Sequence, residues 1–449
     1  MSDVKQTNEY FIMDLTLLSR DGSKTLRLDG VFQELTLFEN IMDNTMRGSV
    51  SIVDTNGILE TFPVMGDEFI YMDFSKTGES GDERVKYLGY IYKISDKQQY
   101  EEKASIQSYT LFFTSVEQML SKKYKVDNNR RSKLSTMAKN IFEDKIEQNR
   151  NDLDPLTSMD KFREVRKKID VEDTMDVFDI TFPNLSPLMS MNMLARDAYS
   201  SNMNGGFNTT YQFYEDREGF HFKSIEGLIE QQRMNTEFPE FFFRVPNSID
   251  DITYNSIRTI SNFNIENTFD IMKSANSGHY GSTHVTFDPL SKTHYHNKFE
   301  YDDEFDKISH VDNFRTNSSK FFKSKMKDSK ISAGLTTRGS FESSFISGKD
   351  EIFYGKEDEI IQLKRSRYNQ LLGSQVVSFN VPGNPYRKLG EMIQVWIPSI
   401  LKTGEKQRVD FDKYYSGRYL ILGIKHMFTP SDYIMNLTAI KDGNRNEHE

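Results

Sequence analysis

The sequence predicts an α+β protein dominated by β structure, with two similar antiparallel β-barrel modules, a mixed α/β domain between them, and an insertion in the second barrel. Three observations carry that expectation. Residues 417–441 hold two β-rich runs, 419–425 and 433–441, joined by Thr429-Pro430-Ser431-Asp432. Pro and Asp in the connector set turn geometry, so the segment reads as an antiparallel hairpin. Upstream, residues 389–399 (LGEMIQVWIPS) present Gly, an acid, an apolar run and then Ser. The same order recurs in residues 65–75 (MGDEFIYMDFS), again followed by two β-rich runs, 87–94 and 108–115. Gly66 and Gly390 stand 324 residues apart, so the repeat is long and diverged. Gly66 with Asp67, and Gly390 with Glu391, are the expected equivalent positions of the two modules. Two like modules in one chain imply a quasi-symmetric object when chains assemble.

Taken in order, residues 1–117 form the first module. Residues 26–37 alternate apolar and polar, and residues 48–53 form a short strand ending at the turn signal Asp54-Thr55-Asn56-Gly57. Residues 118–208 form the mixed α/β domain. Ser132 is the expected N-cap of a helix carrying Leu134, Met137, Ile141 and Ile146. Residues 148–168 are charged and aperiodic. Ser186 caps a second helix, with Pro187 in its first turn and Leu188, Met191, Leu194 and Ala198 on one face. Residues 200–208, with Gly205-Gly206, break the pattern.

Residues 209–250 and 374–449 form the second barrel, opened by a hairpin of residues 210–214 and 219–223. Residues 251–373 form the inserted α+β domain. There Asn267 is the expected cap of a short helix stopping at Gly278, and residues 282–301 form a hairpin around Asp288-Pro289-Leu290-Ser291. A polar tract over 309–349 reads as loop, and a helix over 357–372 ends at Gly373.

Composition narrows the function classes. A length of 449 residues suggests about three domains. The chain holds no cysteine, so disulfides and thiol chemistry are excluded and a reducing compartment fits. No apolar run approaches the roughly 20 residues that span a bilayer, so no membrane anchor is expected, and the opening MSDVKQTNEY does not read as a signal peptide. With 67 acidic against 57 basic residues, the balance argues against a broad grip on nucleic acid, but not against letting it pass without sticking. Phe and Tyr are abundant, at 34 and 22, as sheet faces and subunit contacts require.

Catalytic and metal motifs are sparse. Ser347-Gly348-Lys349 lacks the earlier glycine and the following hydroxyl residue of a phosphate loop, and the zinc-protease and nucleophile-elbow motifs are missing. His279, His284, His294, His296 and His310 are the best metal candidates, since His294 and His296 would share one strand face. No third ligand stands at motif spacing, so polar residues on an exposed hairpin are the preferred reading, and no metal or cofactor is assigned. Glu300, Asp302, Asp303, Glu304 and Asp306 lack the glycine and spacing of a calcium loop. Lys320, Lys323, Lys325, Lys327 and Lys330, beside Phe321 and Phe322, are candidates for a peripheral contact with an acidic partner; a nucleic-acid arm would be weak in an acidic chain, and plain flexible loop is the preferred reading.

Residues 378–390 (SFNVPGNPYRKLG) with the strand after them, and residues 416–426 (SGRYLILGIKH) with the return strand 433–442, resemble the central hub protein of contractile-tailed bacteriophage baseplates. Residues 277–282 (SGHYGS), running into the 283–301 hairpin, resemble the same family's inserted region. The resemblance spans residues 26–443, and the order of the motifs carries it. It implies two tube domains per chain and a homotrimer whose ring of six domains adapts the sixfold tail tube to the threefold spike. Implied partners are the tail tube or a tube-initiator protein, the trimeric spike, and wedge or peripheral baseplate proteins. DNA would pass through the channel without specific binding, and an acidic lumen would keep it moving. The implied place is the virion's tail baseplate, assembled in the host cytoplasm, and no enzymatic activity is expected. The tract 309–349 is longer than in the simplest hubs, and no spike-bearing C-terminal extension is expected. The alternatives are a tail-associated enzyme degrading cell wall or glycan, and the equivalent hub of a tailocin-type injection machine.

Overall fold

A computed structural model describes residues 10–76, 84–99, 106–152, 165, 167–233, 235, 237–243, 258–289, 292–312, 314–315, 330–335, 357–399 and 411–443. Strand formation follows period-two burial. Along Arg47–Asp54, positions 48, 50, 52 and 54 are buried and those between are more exposed.

The N-terminal module contains β1 (Tyr10–Leu18), β2 (Thr25–Arg27), β3 (Phe32–Asn40), β4 (Arg47–Asp54), the single-turn α1 (Ile58–Thr61), β5 (Phe69–Lys76), β6 (Val85–Gln99) and β7 (Gln107–Ser115). Its neighbour order is β2-β1-β5-β6-β7-β4-β3.

The middle region contains α2 (Val116–Lys123), β8 (Asn129–Ser132), α3 (Leu134–Phe142), β9 (Lys168–Val171), β10 (Phe178–Thr181), α4 (Pro187–Asp197), β11 (Ser200–Ser201), β12 (Phe207–Asn208), β13 (Tyr211–Glu215), β14 (Gly219–Ser224) and α5 (Ile225–Gln232). Its own apolar core is built from α3, α4, β13 and β14, around Met137, Ile141, Met191, Leu194, Phe213 and Phe222.

The remainder contains β15 (Glu240–Phe243), β16 (Thr259–Asn267), α6 (Ile271–Ser277), β17 (Gly281–Asp288), β18 (Thr293–Glu300), α7 (Tyr301–Glu304), β19 (Ile331–Leu335), α8 (Glu357–Gly373), β20 (Gln375–Pro382), β21 (Met392–Trp396), β22 (Gly417–Phe428) and β23 (Tyr433–Lys441). Six of these strands, in the order β22-β21-β15-β16-β20-β23, close into a barrel because β23 pairs back onto β22. The fold is therefore β-dominated with a closed six-stranded barrel and additional strands, as the sequence suggested.

The repeat is visible in the ladders. The run β3-β4-β7-β6-β5 and the run β16-β20-β23-β22-β21 share one neighbour order, and every pairing within each is antiparallel. They differ at closure. β15 bridges β21 and β16 through two parallel pairings, whereas among the described residues β1 pairs with β5 and β2 only. The segment carrying β17–β19 and α6–α8 lies between β16 and β20, where the N-terminal module has only residues 41–46 between β3 and β4.

Several local expectations are corrected. The hairpin expected to open the second barrel, β13–β14, pairs with β9 in a separate three-stranded sheet. Its alternating aromatics suit either sheet, and only packing against α4 decides between them. β16, expected inside the insertion, is a barrel strand; its sparse apolar content (TISNFNIEN) hid it. Ser132 ends β8, and Lys133 is the N-cap of α3. Asp270 rather than Asn267 caps α6, its side chain accepting from Lys273 N at 2.8 Å. Within the tract expected as loop, β19 pairs in parallel with β17. The expected α4, with Ser186 at its N-cap, and the hairpin β17–β18 are present.

Candidate assembly interface

The two modules are joined through one long strand. The first part of β22 pairs with β21 from Gly417 to Leu420, and its later part pairs with β3 through Gly423↔Asn40 to Phe428↔Leu35. A bulge between Ile421 and Gly423 marks the change of partner. One apolar core runs across this seam, from Leu37 and Phe113 to Ile424 and Leu437. Aromatic rings close it at one end: Phe74 of β5 lies 4.2 Å, centroid to centroid, from Phe428, which stacks on Tyr433 at 4.3 Å. Tyr10 of β1 donates from its hydroxyl to Thr429 O at 2.6 Å.

A buried charged cluster sits beneath these rings. Glu39 of β3 holds Arg217 at 2.6 Å, and His426 Nε2 lies 3.2 Å from the same carboxylate. His426 Nδ1 lies 2.8 Å from the Tyr433 hydroxyl. Burial lowers the pKa of His426, and Arg217 adds to that, so the ring is neutral near pH 7 despite Glu39. Arg217 belongs to the β13–β14 turn, which Asp216 fixes by accepting from Glu218 N at 2.8 Å and Gly219 N at 2.9 Å. Arg217 also donates to the carbonyls of Pro385 and Arg387. The hairpin of the middle region thus reaches into the seam between the β modules.

A second cluster ties that hairpin to the N-terminal module. Lys167 Nζ lies 2.8 Å from Glu215 and donates to Asp216 O at 2.6 Å, while Glu215 accepts from Met46 N at 2.8 Å. Arg150 pairs with Glu117 at 2.5 Å, and the Ser115 hydroxyl donates to Glu117 at 2.5 Å and lies 3.1 Å from Glu215. Burial pushes the Glu215 carboxyl up to about 7 even though Lys167 draws it down. A polar cleft of about 310 Å³ opens beside both clusters, lined by Arg84, Lys86, Lys388 and Glu218 among others. Arg84 pairs with Asp73 at 2.7 Å and Lys388 with Glu218 at 2.5 Å, so these wall charges are already matched.

A third cluster anchors α8 to the barrel. The wholly buried Arg367 lies 3.3 Å from Glu226 and 3.5 Å from Asp442, and donates to Ser309 O at 2.9 Å. His310 Nδ1 lies 2.9 Å from Asp442. Burial raises the Asp442 pKa, but His310 and Arg367 outweigh it and the net shift is downward.

The residues singled out in the sequence fare differently. Gly66 and Gly390 both take positive φ, +103° and +73°, just before β5 and β21. The ladders nevertheless shift the adjoining acid by one. Ile91 N donates to Glu68 O as Ile421 N donates to Glu391 O, so Glu68 rather than Asp67 occupies the Glu391 step. The N-terminal module has one more residue between glycine and strand. The five histidines disperse. His279 is buried against Ser366, His284 contacts Ser332, and His310 serves Asp442, while His294 and His296 lie exposed on β18. Among the described residues no group of three or more potential ligands could hold a metal ion. Asp302 and Asp306 face Arg315, at 3.6 and 3.4 Å. Lys320, Lys323, Lys325 and Lys327 lie outside the described residues; Lys330 precedes β19, and its carbonyl accepts from Thr283 N at 2.8 Å. Sequence reasoning missed the buried charges. His426 carried a usable signal, since the alternation of β22 places an ionisable ring at an inward position.

No protein-family model matches the chain, and no curated protein matches it. Solved structures do. The 43 kDa tail protein of prophage MuSo2 from Shewanella oneidensis superposes with a TM-score of 0.51 at 8% identity, covering 96% of this chain and 98% of that one. The tail protein from Neisseria meningitidis MC58 gives 0.50 at 9% identity, covering 96% and 97%. This chain shares the fold of these two tail proteins over nearly its whole length. Among the described residues no helix is long and apolar enough to cross a membrane.

Proposed function

We propose that this chain is the structural, non-enzymatic central hub of a phage tail baseplate. Three copies form a ring in which the two β modules of each chain alternate, presenting six similar units to a sixfold tail tube or its initiator and a threefold face to a trimeric spike. Wedge or peripheral baseplate proteins surround the ring, and DNA passes through it without specific binding. The chain acts in the virion tail after assembly in the host cytoplasm. One observation carries the reading: a five-strand order used twice in one chain, with the two copies already joined side by side through β3 and β22. The likeness in fold to tail proteins supports it. The net charge of −10 suits a channel that repels phosphate.

Light scattering on the purified chain tests the proposal. A stable species of three times 52.4 kDa is expected, and imaging should show a ring with six lobes. A strict monomer at every concentration, persisting with tail-tube protein present, would remove it.

A further inference from the structure

The contact between β3 and β22 inside the chain has an unmade counterpart. By strand order β6 corresponds to β22 and β16 to β3. The likeness extends to register. Tyr90↔Thr114, Ile91↔Phe113 and Lys93↔Phe112 reproduce Leu420↔Ile440, Ile421↔Ala439 and Gly423↔Thr438, with the bulge at the same step. Tyr92 therefore corresponds to Leu422. Leu422 is 5% exposed, and its carbonyl accepts from Ile41 N at 2.9 Å, just past the end of β3; Tyr92 is 49% exposed. Beyond Ile91, no described strand pairs with β6 on the side that β5 occupies earlier.

The other half of the contact is equally uncovered. Among the described residues, the β16 partners of β15 are Thr259 and Ile260, and Asn262, Asn264 and Glu266 further along are exposed. Immediately after β16, Phe269, Ile271 and Met272 are 62%, 41% and 73% exposed, in the place that Ile41 and Met42 hold after β3. A bare strand edge with apolar residues beside it is a template for another strand.

We propose that residues 95–98 of β6 pair antiparallel with residues 264–267 of β16 from a second copy, repeating between chains the β3–β22 contact made within each. Its closure after three copies rests on the hub reading above; the pairing itself rests on the two edges. The register is fixed by equivalence. Met427 opposes Thr36 within the chain. Gln98 stands for Met427, since it opposes Ser108 as Met427 opposes Ile434. Asn264 stands for Thr36, since it opposes Ser378 as Thr36 opposes Ser49. Gln98 of one copy therefore faces Asn264 of the next, and Ser95, which stands for Lys425, faces Asn267, which stands for Phe38. Because the contact is head-to-tail, each copy offers one edge and receives the other.

The absence of cysteine makes the test clean. Facing residues on paired strands have Cβ atoms about 4.5–5.5 Å apart, close enough for a disulfide after small adjustment. The full chain carrying Gln98→Cys and Asn264→Cys is oxidised mildly and run without reductant, with each single variant and the mis-registered pair Tyr92→Cys/Asn264→Cys as controls. The pair Ser95→Cys/Asn267→Cys is a second register probe should the first fail to fold. Loss of the monomer band to linked dimer and trimer, in the matched pairs only, is expected. A trimer by light scattering without cross-linking in either matched pair would overturn the edge proposal and leave the hub reading standing. A ladder extending past the trimer would uphold the pairing and overturn closure at three. A monomer without cross-links would overturn the pairing.

Discussion

Glu39 and Arg217 form an ion pair of 2.6 Å at the seam between the two β modules, with side chains only 0% and 10% exposed. The two residues come from different parts of the fold, one from β3 and the other from the turn of a hairpin in the middle region. Removing the guanidinium strands a buried carboxylate. Arg217→Met is therefore expected to cost about 3–5 kcal/mol. The double variant Arg217→Met/Glu39→Gln should recover part of that loss, because it removes the stranded charge as well. Equilibrium denaturation of the single and double variants checks both statements. A single variant as stable as the parent would mean that the pair does not hold the seam.

The Glu215 carboxyl supplies a pH signature. Its pKa rises from 4.5 to about 7 on folding, mainly through burial. Between those values the native state holds a proton that the unfolded chain has released, so stability falls as pH increases through the interval. Glu215→Gln removes the titrating group. Melting temperatures of parent and variant measured across that interval should converge at the acid end, and the variant should show the shallower decline towards neutral pH. Parallel curves would show that Glu215 titrates normally in the folded chain.

Gly66 and Gly390 separate backbone need from packing need. An added Cβ meets nothing within 4 Å at Gly66, so Gly66→Ala should lose only the cost of its positive φ, roughly 1–3 kcal/mol. At Gly390 the same change also brings Cβ within 2.8 Å of Leu228 Cδ1. Gly390→Ala should therefore lower the melting temperature more than Gly66→Ala does. Equal losses would place the whole effect in the backbone.

Much of this fold is written locally. Alternation in residues 48–53, 108–115 and 433–441 specifies strands whatever surrounds them, because period-two burial is a property of the extended chain. The repeated order of glycine, acid and apolar run shows the two modules in outline, and Ser186-Pro187 and Gly278 mark helix ends by backbone preference alone. Partnership is another matter. Whether β13–β14 joins the barrel or a separate sheet, and whether the polar β16 is a strand at all, depends on which surfaces are left to cover. The one-residue offset between Asp67 and Glu68 lies in a hydrogen-bonded register that residue order does not encode. The buried charges at Glu39, Arg217 and His426 were hidden for the same reason. A charge survives in a core only where distant segments supply its counterpart, and that meeting exists only once the chain has folded.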